Sequence, residues 1–418
     1  MAAEVTQELL RRIPPITELL QSPQAAEWIK THPLPLVTEC LRGAAASVRQ
    51  KLLGNGPAGG ASEQLGKTIL ARAAELLELA TSPRLRDAIN ATGIILHTGL
   101  GRAVFPGRVV DSMVGELKGY CTLAVARDSG ERIERDELVE DILKELTGAE
   151  AATVVNNNAA ATMLVLAALA RGREVIVSRG QLIEIGGSFR LPEVMAQSQA
   201  RLVEVGATNR THLKDYRKAI TADTAAIMRV HPSNYRIVGF TTEPELAELA
   251  ELAHGQNLVL IDDLGAGALL DLKQFGLPHE PTVRESLAAG ADVVLFSGDK
   301  LIGASQSGII VGRKALIDQL RKHPLMRAVR VDKTCLMVLE RTLHLFRDPE
   351  LLRREHPTYR MISTPLETLH QRAQALTEAV ARSAAGAVTA SVGPGSAYVG
   401  SGSLPAEAIP SVVVSVSA

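Results

Sequence analysis

Apolar positions change rhythm along the chain, and the changes divide it. From 63 to 80, Leu65, Ile69, Leu70, Ala73, Leu76, Leu77 and Ala80 recur mostly three or four apart. That spacing predicts an amphipathic helix whose apolar face docks on the body that follows. Further on, short β-rich runs at 152–155, 175–178, 201–205, 225–230, 258–262, 293–297 and 308–311 alternate with helical stretches. Strands separated by helices imply βαβ units with right-handed crossovers, so the expected fold class is α/β with a mostly parallel seven-stranded sheet.

The flanks read differently. Residues 1–53 predict several short helices broken at Pro14-Pro15, Pro23, Pro33 and Pro35, since proline cannot donate an interior helical hydrogen bond. Gly54 to Ser62 is glycine-rich and nearly free of apolar side chains, which predicts a linker. After about 337 the pattern turns helix-rich, and 386–403, rich in Gly and Ser, predicts a loop or hairpin. Residues 412–416 read as a strand with nothing after them to complete a layer, so a C-terminal piece is expected to be missing. The expected division is a helical module at 1–62, a linker helix at 63–90, a large domain at 91–336 and an incomplete α+β domain at 337–418.

Composition narrows the function classes. The 418 residues are 46% hydrophobic and 22% charged, as in folded globular proteins. With 45 Lys and Arg against 46 Asp and Glu, the net charge of -1 leaves no polybasic field, and any nucleic-acid contact must be local. Cys40, Cys121 and Cys335 form no CxxC pair and the ten histidines no HExxH motif, so neither a disulfide scaffold nor a metal is expected. Glu4 and Glu8 interrupt any signal peptide, and the apolar run at 163–170 is far short of the ~18 residues of a membrane span. A cytoplasmic protein is expected.

Chemistry gathers where strands end. Val293-Val294-Leu295-Phe296-Ser297 runs into Gly298-Asp299-Lys300, and a lysine at the end of a buried strand is suited to Schiff-base formation with a carbonyl cofactor. Leu258 to Ile261 ends in Asp262-Asp263 and small residues, so that a carboxylate of the pair can hold a pyridinium proton; the alternative is that one caps the next helix or turn and the other is solvated. Asn156-Asn157-Asn158-Ala159-Ala160-Ala161 opens an apolar helix and offers backbone amides to a phosphate. Phosphate cup, ring carboxylate and lysine together are what pyridoxal 5′-phosphate needs. Arg102, with Arg327 and Arg330 three apart, makes a candidate oxyanion fork. Gly99-Leu100-Gly101-Arg102 lacks the third glycine of a dinucleotide fingerprint, which excludes a dehydrogenase.

These segments, with Ser178-Arg179-Gly180-Gln181, Gly206-Ala207-Thr208-Asn209-Arg210-Thr211, His231-Pro232-Ser233-Asn234-Tyr235 and Asp263-Leu264-Gly265-Ala266-Gly267, resemble the bacterial selenocysteine synthase family, L-seryl-tRNA(Sec) selenium transferases. The resemblance implies a fold-type I pyridoxal phosphate enzyme that eliminates water from seryl-tRNA(Sec) through an aminoacrylyl intermediate and adds selenium from selenophosphate. It implies Lys300 as the Schiff-base lysine with Asp299 beside it, and Asp263 as the pyridine-nitrogen partner. Asn157, Asn158, Ala159, Ser233, Asn234 and Ser297 are the implied cofactor contacts, with Arg102, Arg327 and Arg330 as the selenophosphate pocket. The N-terminal module would grip tRNA, with Arg11, Arg12, Arg42, Arg49 and Lys51 as candidates, although 1–62 carries six cations against five acids. A homo-oligomer is implied, at least a dimer and in the family a decamer built as a pentamer of dimers. The rival readings are a lyase for a small amino acid or amino sugar phosphate, and a noncatalytic RNA-binding relative. Gly99, Ala266 and Arg132-Ile133-Glu134-Arg135 depart from the family pattern.

Overall fold

In the first of two compact units, α1 (Ala2–Arg11), α2 (Ile16–Leu20), α3 (Pro23–Thr31), α4 (Leu34–Asn55) and α5 (Ser62–Thr81) surround one small core. The computed structural model describes residues 2–55, 62–185, 189–383, 388–404 and 407–417, and the units divide between Ala88 and Ile89. Pro23 and Pro35 were expected to break helices; instead they stand in the first turns of α3 and α4. A first-turn proline lacks only an N–H that has no partner within the helix. The apolar face of α5, expected to cover the following body, is used inside its own unit. Leu65, Ile69, Ala73 and Leu77 join Val37, Leu41, Ala44 and Val48 of α4, whose own stripe needs the same cover. Most of the linker expected at 54–62 lies outside the described residues.

The second unit is built on strands β1 (Ala151–Val155), β2 (Glu174–Ser178), β3 (Glu184–Ile185), β4 (Phe189–Arg190), β5 (Arg201–Val205), β6 (Thr224–Val230), β7 (Val259–Gly265), β8 (Val293–Ser297) and β9 (Gly308–Gly312). Seven of them form one sheet in the order β1-β9-β8-β7-β6-β2-β5, and these are the seven segments expected from the sequence. Only β9 runs antiparallel to its neighbours. Both faces are covered, as parallel sheets require: Val294 and Phe296 of β8 enter one apolar layer, and Val293 and Leu295 the other. Six carboxyl ends therefore share one edge, where open α/β sheets leave room for ligands.

Helix α6 (Gly107–Val114) and helix α7 (Glu137–Thr147) precede the sheet, and α8 (Asn158–Leu169) follows β1. Of the loop or hairpin expected for the Gly- and Ser-rich stretch, the structure has the hairpin. Within it, β10 (Thr389–Ala397) pairs antiparallel with β11 (Ile409–Ser417), and helix Leu366–Ser383 packs on both. Residues 386 and 387 of that stretch lie outside the described residues. The amides of Ile95 and Leu96 donate to the Tyr398 and Val399 carbonyls at 2.9 and 2.8 Å, which ties the start of this unit to its C-terminal layer.

Gly308 opens β9 against the asparagine turn after β1. A Cβ there would lie 2.2 Å from the Asn157 carbonyl oxygen, a backbone atom that cannot swing aside. Gly308→Ala should destabilise the unit by about 1–3 kcal/mol, read as a lower unfolding midpoint; an unchanged midpoint would show that the turn gives way.

Candidate active site

Lys300 sits in a turn fixed by its own backbone: Gly298 N donates to Ser307 O (2.9 Å), Ala304 N to Gly298 O (2.8 Å) and Gly303 N to Lys300 O (3.0 Å). Beneath the turn, buried His356 donates from Nε2 to the Ile302 carbonyl at 3.0 Å. Burial pushes the His356 pKa down to about 4, so the ring is neutral and only one nitrogen donates. Gly303 has φ +71, and a side chain there would collide with that ring.

Lys300 is 5% exposed and faces a cavity of about 270 Å³. Burial, and then the Arg102 guanidinium, push its pKa down; Asp263, Asp299 and Glu280 oppose the shift. Across the cavity lies Asp263 at the end of β7, and its pKa is pushed up by burial. The carboxylate accepts from Asn158 Nδ2 (2.8 Å), Thr162 Oγ1 (3.1 Å) and Gly265 N (3.1 Å), which hold it in place. Asp262 is separate. Its fully buried carboxylate accepts from Nε and Nη2 of Arg229 at 2.6 and 2.7 Å, so Asp263 is the member of the pair that faces the cavity.

The asparagine turn lines the same cavity through Asn157, Asn158 and Ala159. Asn157 caps α8 by accepting from Ala160 N at 2.8 Å. The Asn158 and Ala159 amides, first in the helix, have no acceptor one turn back and stand at the positive end of the dipole. Ser233 and Ser297 also line the cavity. Asn234 does not: its side chain donates to the Glu184 carbonyl at 2.9 Å. Asp299 pairs with Arg102 at 2.6 Å, and Arg102 holds φ 63, a left-handed conformation that a non-glycine residue rarely adopts. Arg327 and Arg330 line a different cavity of about 300 Å³, together with Arg135. Burial, then Arg135 and Arg327, push the Arg330 pKa down. Within one chain, then, the three arginines do not share a pocket. Arg11, Arg12, Arg42, Arg49 and Lys51 are all exposed on the N-terminal unit, Arg12 beside Glu8 at 2.7 Å.

Sequence reading missed Thr162, His231, Gln306 and His356, and the cover of Ile183, Ile185 and Phe189. Thr162 was findable: it follows Asn158 by four residues, one helical turn on the same face. His231 and Gln306 carry no spacing signal.

These residues fit a flat, phosphorylated aldehyde cofactor. Asn158 Oδ1 and Ser233 Oγ are buried with no hydrogen-bond partner, and the cavity joins a buried amine, a buried carboxylate and a helix N-terminus. Sheet order and site together define the architecture of the fold-type I pyridoxal phosphate enzymes. Among solved structures, D-glucosaminate-6-phosphate ammonia-lyase is similar in fold, with a TM-score of 0.52 and 20% identity over 78% of this chain and 79% of that one. Residues 88–418 match the family model described as L-seryl-tRNA selenium transferase, and residues 10–49 the model described as selenocysteine synthase N terminal. The chain belongs to the L-seryl-tRNA selenium transferase family. It is 47% identical over 403 residues to the L-seryl-tRNA(Sec) selenium transferase of Methylocella silvestris, covering 96% of this chain and 85% of the relative. The Haemophilus influenzae protein of that name is 43% identical over 408 residues, covering 98% and 88%. Among the described residues no helix is long and apolar enough to cross a membrane.

The buried charges give three expected outcomes. Asp262→Asn leaves Arg229 without its buried partner and should cost about 3–5 kcal/mol in denaturant unfolding; Asp263→Asn should keep the fold and lose affinity for added pyridoxal phosphate. For Lys300 the folded pKa lies below the 10.5 of the free side chain. Between the two values the unfolded chain binds the extra proton, so stability rises with pH through that window. Without cofactor, Lys300→Met should therefore be more stable than wild type at neutral pH, by a margin that narrows towards pH 10.5; a constant margin would contradict the shift.

Proposed function

We propose that the chain converts seryl-tRNA(Sec) to selenocysteinyl-tRNA(Sec), with pyridoxal 5′-phosphate as its resident cofactor. The serine β-carbon loses its hydroxyl as water and gains selenium from selenophosphate, whose P–Se bond is cleaved by water to release phosphate. The observation that carries the reading is the buried Lys300 amine facing the cavity that Asp263 closes. When bound, the cofactor supplies an aldehyde for amines and a ring that takes up electron density from a neighbouring carbon.

The protein's own groups would do the rest. The Asn158 and Ala159 amides would hold the phosphate, and Ser233 Oγ a cofactor oxygen. Asp263, kept in place by Asn158, Thr162 and the Gly265 amide, would hold a proton on the ring nitrogen. Its Oδ2 accepts one bond and has capacity for another. Lys300 Nζ, with its pKa lowered, would take the proton from the serine α-carbon and return it. Ile183, Ile185 and Phe189 would limit water at that step.

Arg102, paired with Asp299 beside the lysine, would meet the anionic selenium donor. Arg327 and Arg330 line their own cavity, so in a homo-oligomer they would be offered to the site of a neighbouring copy. The five exposed cations of the N-terminal unit would contact tRNA phosphates in the cytoplasm, remote from the chemistry.

The purified protein, given pyridoxal phosphate, seryl-tRNA(Sec) and selenophosphate, should form selenocysteinyl-tRNA(Sec). Lys300→Ala should abolish turnover, at least 10³-fold as for other essential covalent groups. Borohydride should fix pyridoxal phosphate to Lys300 of the wild type, located by peptide mass spectrometry. A label on any other lysine would sink the assignment.

A further inference from the structure

Next to the lysine cavity lies a larger one, of about 610 Å³, and His231 lines both. His231 is held from two sides: its amide donates to the Asp263 carbonyl at 2.8 Å, and its Nε2 lies 3.4 Å from Glu280 Oε1. Glu243, Glu280 and Glu407 line the larger cavity, and each basic side chain of its wall has an acid beside it: Arg236 pairs with Glu407 at 3.0 Å, His231 with Glu280, and His279 with Asp271 at 3.2 Å. Carboxylates repel a phosphate but accept hydrogen bonds from ribose hydroxyls and exocyclic base amines. The wall chemistry therefore suits a nucleoside rather than a phosphate.

At the mouth stands a platform that the fold itself does not use. Phe240 is 82% exposed, with the Arg210 guanidinium 5.9 Å from its ring centroid. Phe240 precedes Thr241 and Arg210 follows Asn209, and both Thr241 and Asn209 line the cavity. Asn209 Nδ2 donates to the Phe240 carbonyl at 2.6 Å, fixing the two segments to each other. Among the described residues no carboxylate pairs with Arg210. An exposed aromatic ring backed by an unneutralised arginine is how proteins stack unpaired bases.

We propose that this cavity and platform receive the unpaired 3′ end of the aminoacyl-tRNA. The terminal nucleoside occupies the cavity beside Glu243 and Glu280, and the preceding base stacks on Phe240. The esterified serine then reaches past His231 towards Lys300. This assignment rests on the aminoacyl-tRNA reading of the substrate and gives that reading a second, remote contact.

The test uses the full-length protein loaded with pyridoxal phosphate and a tRNA(Sec) ending in 8-azidoadenosine. Photolysis should label residues that border the cavity: Gly180, the segments 208–210, 231–243 or 278–280, Leu404 or Glu407. Independently, Phe240→Ala should raise KM for seryl-tRNA about tenfold, the size of one lost base stack, with KM for selenophosphate unchanged and Phe240→Tyr restoring wild-type behaviour. Labels elsewhere on the chain, no label at all, or an unaltered KM in Phe240→Ala would overturn the proposal. Wild-type turnover alongside such a result would leave the reaction standing. Labels at these segments in a protein that makes no selenocysteinyl-tRNA would instead sink the reaction and keep the nucleotide site.

Discussion

A single constraint organises the molecule: one amine and one carboxylate are both taken out of water at the same sheet edge, and no side chain fills the space between them. Stripping water from a single ion costs several kcal/mol even after relaxation. Lys300 meets that cost by giving up its proton more readily, and Asp263 by gathering three hydrogen bonds. A fold selected for stability alone would fill such a space with apolar groups. The cavity that both residues face has room for a group that would satisfy them together.

The scaffold serves that constraint through close backbone approach. Small residues at Gly298, Gly303 and Gly308 let the lysine turn, the buried His356 ring and the asparagine turn press together. Strand β9 returns antiparallel between β1 and β8, so its first residues, next to Gln306, lie beside the carboxyl ends of both. A wholly parallel sheet would place that stretch at the opposite edge. The N-terminal unit has an apolar core of its own, centred on α4 and α5.

Much of this was readable in the chain. All seven main strands announced themselves as short β-rich runs between helical stretches, and the lysine, the aspartate pair and the asparagine turn were visible because each ends such a run. The sequence could not choose between Asp262 and Asp263. The choice depends on Arg229, a neighbour across the sheet and 33 positions away. Adjacent strand residues point to opposite faces, so only one aspartate could reach the cavity, but which face held it is a tertiary fact. Nor could local pattern separate Arg102 from Arg327 and Arg330, because oxyanion chemistry looks alike in any arginine. The α5 face was legible as apolar, yet its partner was misjudged: periodicity says that a face is buried and is silent about where.

Arg102 has a consequence of its own. Its left-handed backbone costs about 1 kcal/mol for any residue with a β-carbon, and its predecessor Gly101, at φ 91, takes a similar conformation freely. Backbone preference alone would favour glycine at position 102. What resists is the grip of Asp299, so the acid beside the lysine acts as a ratchet that keeps a cation in a place where the main chain would sooner have none.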